Sequence, residues 1–183
     1  FRLQKHIEDL LDFNIVLDST SLQDCESMPI DNVISQVLAE RKLDIKRKKI
    51  NLKKTSNNVF LVSNRKQVAV IIDNILSNAI KYSPDEGVIE ITTVLVDEQL
   101  QIFISDQGIG ITQENQDKIF DAFYQGIAPE NNAIKGSGLG LTIVKELLLR
   151  LNGNIELMYP QGEQVGTKMK ITLPRAFRQE EKI

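Results

Sequence analysis

Apolar residues recur with the 3.6-residue period of a helix in several stretches of the chain. The predicted helices are Arg2–Asp18, Asp31–Lys48, Arg65–Tyr82, Gln113–Phe123 and Leu139–Leu151. Asp31 is expected to cap the second helix, Pro84 to stop the third and Gly153 to end the last. In the second helix the expected buried residues are Val33, Ile34, Val37, Leu38 and Leu43.

Short runs rich in β-branched residues predict strands that come in adjacent pairs. These pairs are Ile50–Lys54 with Val59–Val62, Val88–Val96 with Leu100–Ser105, and Asn154–Met158 with Thr167–Leu173. Ser56-Asn57-Asn58 and Asp97-Glu98-Gln99 provide turn residues for the first two pairs, and the polar segment Ser19–Ser27 is expected to be a linker. Adjacent strand pairs imply hairpins, so an α/β fold with a mixed sheet covered by helices is favoured over a parallel sheet.

Composition narrows the possible function classes. A chain of 183 residues that is 42% hydrophobic suits one globular domain. A net charge of −3 gives no reason to expect nucleic acid or a membrane surface as a partner, and the basic run Lys46–Lys49 is expected to be a solvated helix end. Cys25 is the single cysteine and is expected to be structural.

Nothing in the chain predicts a membrane segment or a signal peptide, because no apolar run reaches the roughly 18 residues that cross a bilayer. The sequence opens inside a predicted helix at Phe1, so we expect a fragment of a longer protein.

Four short blocks carry candidate chemistry, and a weaker fifth follows them. They are Asn74–Pro84, Asp106–Ile111, Ile119–Tyr124, Gly136–Leu141 and Gly166-Thr167 with Leu173-Pro174. Taken singly, each has a structural reading, as glycines that turn the chain or phenylalanines of a core. Asn74 and Asn78 are harder to explain in this way, because they share one face of an apolar helix and a buried amide without partners costs about 1–3 kcal/mol.

The blocks become coherent if the ligand is a nucleotide polyphosphate. Glycine lets backbone N–H groups approach phosphates closely, and the helix beginning near Leu139 offers its positive N-terminal end. The amide oxygen of Asn78 is a hard ligand suited to magnesium. The carboxylate of Asp106 can accept a hydrogen bond from an exocyclic amine such as that of adenine.

In order and content the blocks resemble the nucleotide-binding boxes of sensor histidine kinases (the HATPase_c domain), within the GHKL superfamily that also holds gyrase, Hsp90 and MutL. The resemblance covers about Ser27–Pro174. It implies the Bergerat fold, a two-layer α/β sandwich of a mixed sheet of about five strands and three helices, with a lid from about Tyr124 to Gly138. Residues 1–24 would be the remnant of the dimerisation and phosphoacceptor hairpin with its linker, and residues 25–183 the ATP-binding catalytic domain.

The same resemblance implies roles for single residues. Asn78 would coordinate Mg²⁺, Asp106 would recognise the adenine amine, and Asn74 and Lys81 would be catalytic. Phe120 and Phe123 would anchor the base of the lid. The full set implied to bind ATP is Asn74, Asn78, Lys81, Tyr82, Asp106, Gly108, Gly110, Ile111, Phe120, Lys135, Gly136, Ser137, Gly138, Leu139, Gly140, Leu141 and Thr167.

Asn74 favours phosphotransfer over hydrolysis. The gyrase and Hsp90 relatives carry a glutamate at this position that activates water, whereas an amide has no useful basicity. Transfer to an external nucleophile needs mainly positioning and charge neutralisation. His6 is the only histidine and does not match the acceptor motif of the family, so the acceptor is expected upstream of these residues. Gln125 replaces a lid arginine common in the family, and Lys135 is a candidate substitute.

Three alternatives stay open at this point: a hydrolytic ATPase, a nucleotide sensor or scaffold without transfer, and a serine kinase of the anti-sigma type. The resemblance implies a parent protein that is a homodimer anchored in the bacterial inner membrane, with this part in the cytoplasm. Its expected partners are its own histidine hairpin and a response regulator, with no nucleic acid and no membrane contact by the fragment.

Overall fold

The computed structural model describes residues 25–125, 137–158 and 166–178. The strands are β1 (Cys25–Pro29), β2 (Asn51–Thr55), β3 (Val59–Asn64), β4 (Val88–Val96), β5 (Gln99–Asp106), β6 (Asn154–Met158), β7 (Lys168–Leu173) and β8 (Ala176–Arg178). The helices are α1 (Ile30–Glu40), α2 (Lys42–Arg47), α3 (Arg65–Tyr82) and α4 (Gly140–Arg150).

The larger sheet has five strands in the order β2-β4-β5-β7-β6. The β2–β4 pair is parallel and the other pairs are antiparallel, so the sheet is mixed as predicted. Residues of one face alternate with those of the other along β4 and β5, and Ile91 and Ile102 on the inner face are fully buried. The outer face carries polar and charged residues such as Glu90 and Lys170.

The helices α3 and α4 pack together against the inner face of this sheet and close the core. Apolar positions of α3 recur at helical spacing, and Ile72 and Leu76 have no exposed surface. The side chain of Asn64 caps α3 by accepting a hydrogen bond from the backbone N–H of Gln67 at 3.1 Å. The two-layer α/β sandwich predicted from the sequence is confirmed.

A second, three-stranded sheet in the order β1-β3-β8 lies beside the sandwich, and the sequence pattern did not predict it. Both β1 and β8 pair antiparallel with β3. Cys25 and Ser27, which we assigned to a linker, therefore belong to a strand. The expected hairpin across Ser56-Asn57-Asn58 is wrong, because β2 and β3 enter different sheets.

The second predicted helix differs from the structure at its start and in its middle. Asp31 is not its N-cap; that position is Pro29, and the Asp31 carboxylate instead pairs with Lys54 at 3.0 Å. The helix is interrupted at Arg41, whose guanidinium holds the carboxylate of Asp73 on α3. Leu43, expected in the core, is 82% exposed, whereas Ile45 of the same short helix packs against the core.

Two further helices of the sequence prediction have different outcomes. Residues 113–123 form only a 3₁₀ turn at Gln113–Asn115 followed by turns, not the predicted helix. The predicted N-terminal helix Arg2–Asp18 lies outside the described residues. Within the described ranges, none of the helices combines the length and the hydropathy that crossing a membrane requires.

Candidate functional site

The end of α3, the loop after β5 and the beginning of α4 converge on one side of the sandwich. Asn74 on α3 marks the contact with α4. Its Nδ2 donates to the carbonyl of Val70 at 2.9 Å. Its Oδ1 lies so close to Gly140, the first residue of α4, that a Cβ there would come within 2.6 Å of it. The Asn74–Asn78 face of α3 is thereby directed toward the N-terminal end of α4.

Asn78 lies one turn after Asn74 on the same face and is half-buried. Among the described residues, none forms a hydrogen bond with its side-chain amide. Its amide oxygen therefore remains available for a ligand.

Asp106 ends β5 and holds the strand to the segment before β7. Its Oδ1 accepts hydrogen bonds from the backbone N–H of Gly108 at 2.8 Å and of Thr167 at 3.2 Å. Burial raises the pKa of Asp106 from 3.8 to about 6, while the two N–H groups favour the ionised form. The group is thus a fixed, half-buried carboxylate that is ionised at neutral pH. Within the described ranges its Oδ2 takes no hydrogen bond, so this oxygen can accept one from a ligand.

Two glycines allow the backbones around Asp106 to approach each other. A Cβ at Gly108 would lie 2.6 Å from the carbonyl oxygen of Tyr82, at the end of α3. Gly166 has φ +135°, and a Cβ there would lie 2.0 Å from the carbonyl oxygen of Asp106. The loop after β5 therefore lies directly on the end of α3 and beside Thr167, with Gly110 next to Gly166.

Lys81 and Tyr82 place a cation and a ring at the end of α3. The Lys81 ammonium donates to the phenol oxygen of Tyr82 at 3.0 Å and lies 4.6 Å from the centre of its ring. The pair is half-buried, which suits contact with a ligand lying above the loop after β5.

The first turn of α4 offers backbone donors. The earliest α4 amide that bonds within the helix is that of Ile143, to the carbonyl of Leu139 at 2.9 Å, so the N–H groups of residues 140–142 face outward. Just before the helix, the hydroxyl of Ser137 accepts from the N–H of Leu139 at 3.2 Å. Such a helix start with preceding glycines is suited to an anion.

The phenylalanines at the base of the predicted lid behave differently from each other. Phe120 is half-buried, and its carbonyl accepts a hydrogen bond from the Thr142 hydroxyl at 3.1 Å. Phe123 is 72% exposed, so the expectation that it packs in the core is wrong. Its backbone N–H nevertheless donates to the carbonyl of Gly138 at 3.0 Å, which joins the lid base to the glycine block.

The structure brings together most of the predicted set, with two groups of exceptions. Lys135 and Gly136 lie outside the described residues, as does His6. The side chains of Ile111, Leu139 and Leu141 pack against the core, so they could serve a ligand through their backbone only.

Sequence reasoning missed Lys48, which was assigned to a solvated basic run. Its neighbours Lys46 and Lys49 are exposed, but the Lys48 ammonium donates to the carbonyls of Ile80, Lys81 and Ser83. Periodicity could not have found this contact, since it joins residues more than 30 positions apart.

Comparison with known families matches residues 63–176 to the model of the histidine kinase-, DNA gyrase B- and HSP90-like ATPases, which is more than half of the chain. The chain belongs to this family, which confirms the family resemblance seen in the sequence. Its relatives are named sensor histidine kinases, which confirms the branch of the family that the sequence resembles.

SenX3 of Mycobacterium tuberculosis is 26% identical over 174 residues, covering 94% of this chain and 42% of the relative. WalK of Bacillus subtilis is 34% identical over 125 residues, covering 67% of this chain and 20% of the relative. The chain thus spans less than half the length of these relatives. Among solved structures, the mycobacterial sensor histidine kinase MprB superposes with a TM-score of 0.70 at 27% identity, over 82% of this chain and 97% of that one.

Proposed function

We propose that the chain binds Mg-ATP between α3, α4 and the loop after β5 and transfers the γ-phosphate to a histidine on a helical hairpin of its parent protein. The observation that carries this proposal is that α3 contacts both ends of the candidate site and so forms a frame for it. Asn74 abuts the start of α4 near one end of the frame, and Tyr82 abuts the loop that carries Asp106 at the other.

This frame matches the two ends of ATP. The ionised Asp106 carboxylate accepts a hydrogen bond from the adenine amine, and Thr167 lies beside it. The outward N–H groups of residues 140–142 bind the triphosphate. The ammonium of Lys81, which lies over the Tyr82 ring, contacts the ligand from the Asp106 end. The structure of full-length ShkA, which is 21% identical to this chain with a TM-score of 0.77, was determined in complex with AMPPNP. It supports the proposal only in showing a protein of similar fold with a bound nucleotide analogue.

The donor set fits magnesium. No group of three acidic, cysteine or histidine side chains that could hold a metal occurs in the described parts of the chain. The amide oxygen of Asn78 has no hydrogen-bond partner among the described residues, and magnesium is commonly held by one or two protein ligands together with substrate phosphates. When bound, the ion would neutralise phosphate charge.

Asn74 favours transfer over hydrolysis. Its amide is not basic, and its Nδ2 is already engaged with the carbonyl of Val70, so it cannot take a proton from water. In the proposed reaction the unprotonated nitrogen of a neutral imidazole attacks the γ-phosphorus through its lone pair, and the other ring nitrogen loses its proton to solvent water. The bond from the γ-phosphorus to the β-phosphate oxygen breaks, and ADP leaves.

We further propose that the parent protein is a membrane-anchored homodimer whose cytoplasmic part includes this chain, and that a response regulator accepts the phosphate. Residues 1–24 would end the hairpin, and residues 25–183 would form the catalytic domain. The names of the relatives support this arrangement.

The test is transfer of label from γ-labelled Mg-ATP to the separately expressed upstream hairpin of the same parent protein. We expect acid-labile, base-stable label on the hairpin, absent when its histidine is replaced. ATP binding without label on the hairpin would favour a nucleotide sensor or scaffold. Release of labelled phosphate without hairpin label would favour hydrolysis.

A further inference from the structure

Lys48 follows α2 and reaches the C-terminal end of α3. Its ammonium donates to the carbonyl of Ile80 at 2.9 Å, of Lys81 at 2.8 Å and of Ser83 at 2.7 Å. A lysine ammonium has three donors and no acceptor, so these bonds use all of its hydrogen-bonding capacity. The side chain is therefore fixed, although it belongs to a run of basic residues.

Lys48 binds the C-terminal end of α3, which is the end of a helix that a cation stabilises. The last carbonyls of a helix have no partner within it and carry partial negative charge. The carbonyl of Tyr82, which Lys48 does not bind, lies against Gly108 instead. The last turn of α3 is thus held from one side by Lys48 and from the other by the loop after β5.

Lys48 also fixes the chain that leaves α3. Its own carbonyl accepts a hydrogen bond from the N–H of Glu86 at 2.7 Å. The adjacent Lys49 differs, because its ammonium pairs with the Glu86 carboxylate at 2.7 Å where both side chains are about 70% exposed. The two neighbouring lysines therefore form a natural pair of test and control.

We propose that Lys48 is a positioning residue for the nucleotide site: its ammonium fixes the last turn of α3 so that the side chain of Lys81 contacts the ligand. This inference rests on the proposed function. Lys48 acts through Lys81, since its three donors are occupied by backbone carbonyls and cannot also bind phosphate.

A double-mutant cycle separates positioning from general stabilisation. ATP affinity is measured by calorimetry, well below the melting temperature, for Lys48→Met in the wild-type chain and in a Lys81→Met background. We expect a loss of about tenfold in the first background and less than about twofold in the second, because the effect travels through Lys81. Lys49→Met should leave the affinity unchanged in both.

Equal losses from Lys48→Met in the two backgrounds would overturn the inference, because they would show that Lys48 merely stabilises the fold. If Lys48→Met does not fold, Lys48→Arg replaces it. Arginine keeps the charge but cannot direct three donors to converging carbonyls in the same way, so a smaller loss that again needs Lys81 is expected. A wild-type chain that binds no ATP would refute the proposed function itself, before any variant is compared.

Discussion

Replacing Asp106 with asparagine should make the ligand-free chain more stable while weakening ATP binding. Burial raises the pKa of Asp106 from 3.8 to about 6, a shift of about two units. At 1.36 kcal/mol per unit, the folded state disfavours the charged form by about 3 kcal/mol at pH 8. Asparagine carries no charge, and its Oδ1 can still accept the N–H groups of Gly108 and Thr167. Because the new amide is also partly desolvated, we expect a net gain of about 1–2 kcal/mol.

The size of this effect depends on pH. The folded chain protonates Asp106 at a higher pH than the unfolded chain does, so between about pH 4 and 6 it holds more protons. The contribution of Asp106 to the free energy of unfolding therefore rises as the pH falls through about 6. The asparagine of the variant does not titrate. The stability advantage of Asp106→Asn should be largest at pH 8 and should disappear near pH 4.

ATP affinity should move in the opposite direction. Hydrogen bonds to a charged group contribute about 1.5–3 kcal/mol, so loss of the carboxylate should weaken ATP binding roughly 10- to 150-fold. The affinity of the wild-type chain for ATP should itself fall as the pH drops below about 6. Below this pH the carboxyl group of Asp106 is mostly protonated, and it must lose its proton before it can bind the adenine amine as a carboxylate.

The assay combines urea unfolding at pH 8 and pH 5 with calorimetric titration of ATP. The matched control is Asp117→Asn, at an exposed position, which should change neither quantity. A variant Asp106→Asn that is less stable than wild type at pH 8 would refute the cost of burying the charge. Unchanged ATP affinity would refute the contact with adenine.

Three other substitutions test separate parts of the account. Gly166→Ala places a Cβ 2.0 Å from the carbonyl oxygen of Asp106 at φ +135°, so unfolding by heat should occur well below the wild-type melting temperature; an unchanged temperature would argue against this backbone contact. Leu76→Ala should lower the free energy of unfolding in urea by about 2–5 kcal/mol. Leu43→Ala, at a side chain that is 82% exposed, should change this free energy by no more than about 0.5 kcal/mol. Similar losses for the two variants would contradict the assigned core. Asn78→Ala should weaken ATP binding in the presence of magnesium but not in its absence, as followed by calorimetry, and an equal loss under both conditions would remove Asn78 as the metal ligand.

Much of the fold could be predicted because its periodicities are strong. The limits of α3 agree with the prediction at both ends, since its apolar face is continuous and Pro84 follows it closely. The hairpin of β4 and β5 was also predicted, and Asp97 and Glu98 adopt the positive φ angles that its turn requires.

The errors have a common physical origin in contacts between distant residues. Whether β2 pairs with β3 or with β4 depends on the register with residues 88–92, which no local pattern encodes. Leu43 follows a break at Arg41, which is tied to Asp73 on another helix, and a continuous helical period does not reveal this break. The role of Lys48 depends on where α3 ends in space.

The sequence predicts the candidate site as a set of residue types, because amides, a carboxylate and glycines in this order resemble the nucleotide-binding boxes of the family. The sequence does not predict the geometry of these residues. The hydrogen bond from the N–H of Thr167 to Asp106 joins residues 61 positions apart, and only the folded sheet brings them together.

The most direct test of the central claim is a crystal structure of the chain with Mg²⁺ and a non-hydrolysable ATP analogue. The account predicts the adenine amine at the Asp106 carboxylate, the triphosphate at the N-terminal end of α4 and the metal beside Asn78. A nucleotide bound elsewhere, for example in the polar groove on the outer face of the large sheet lined by Gln101 and Lys170, would contradict it.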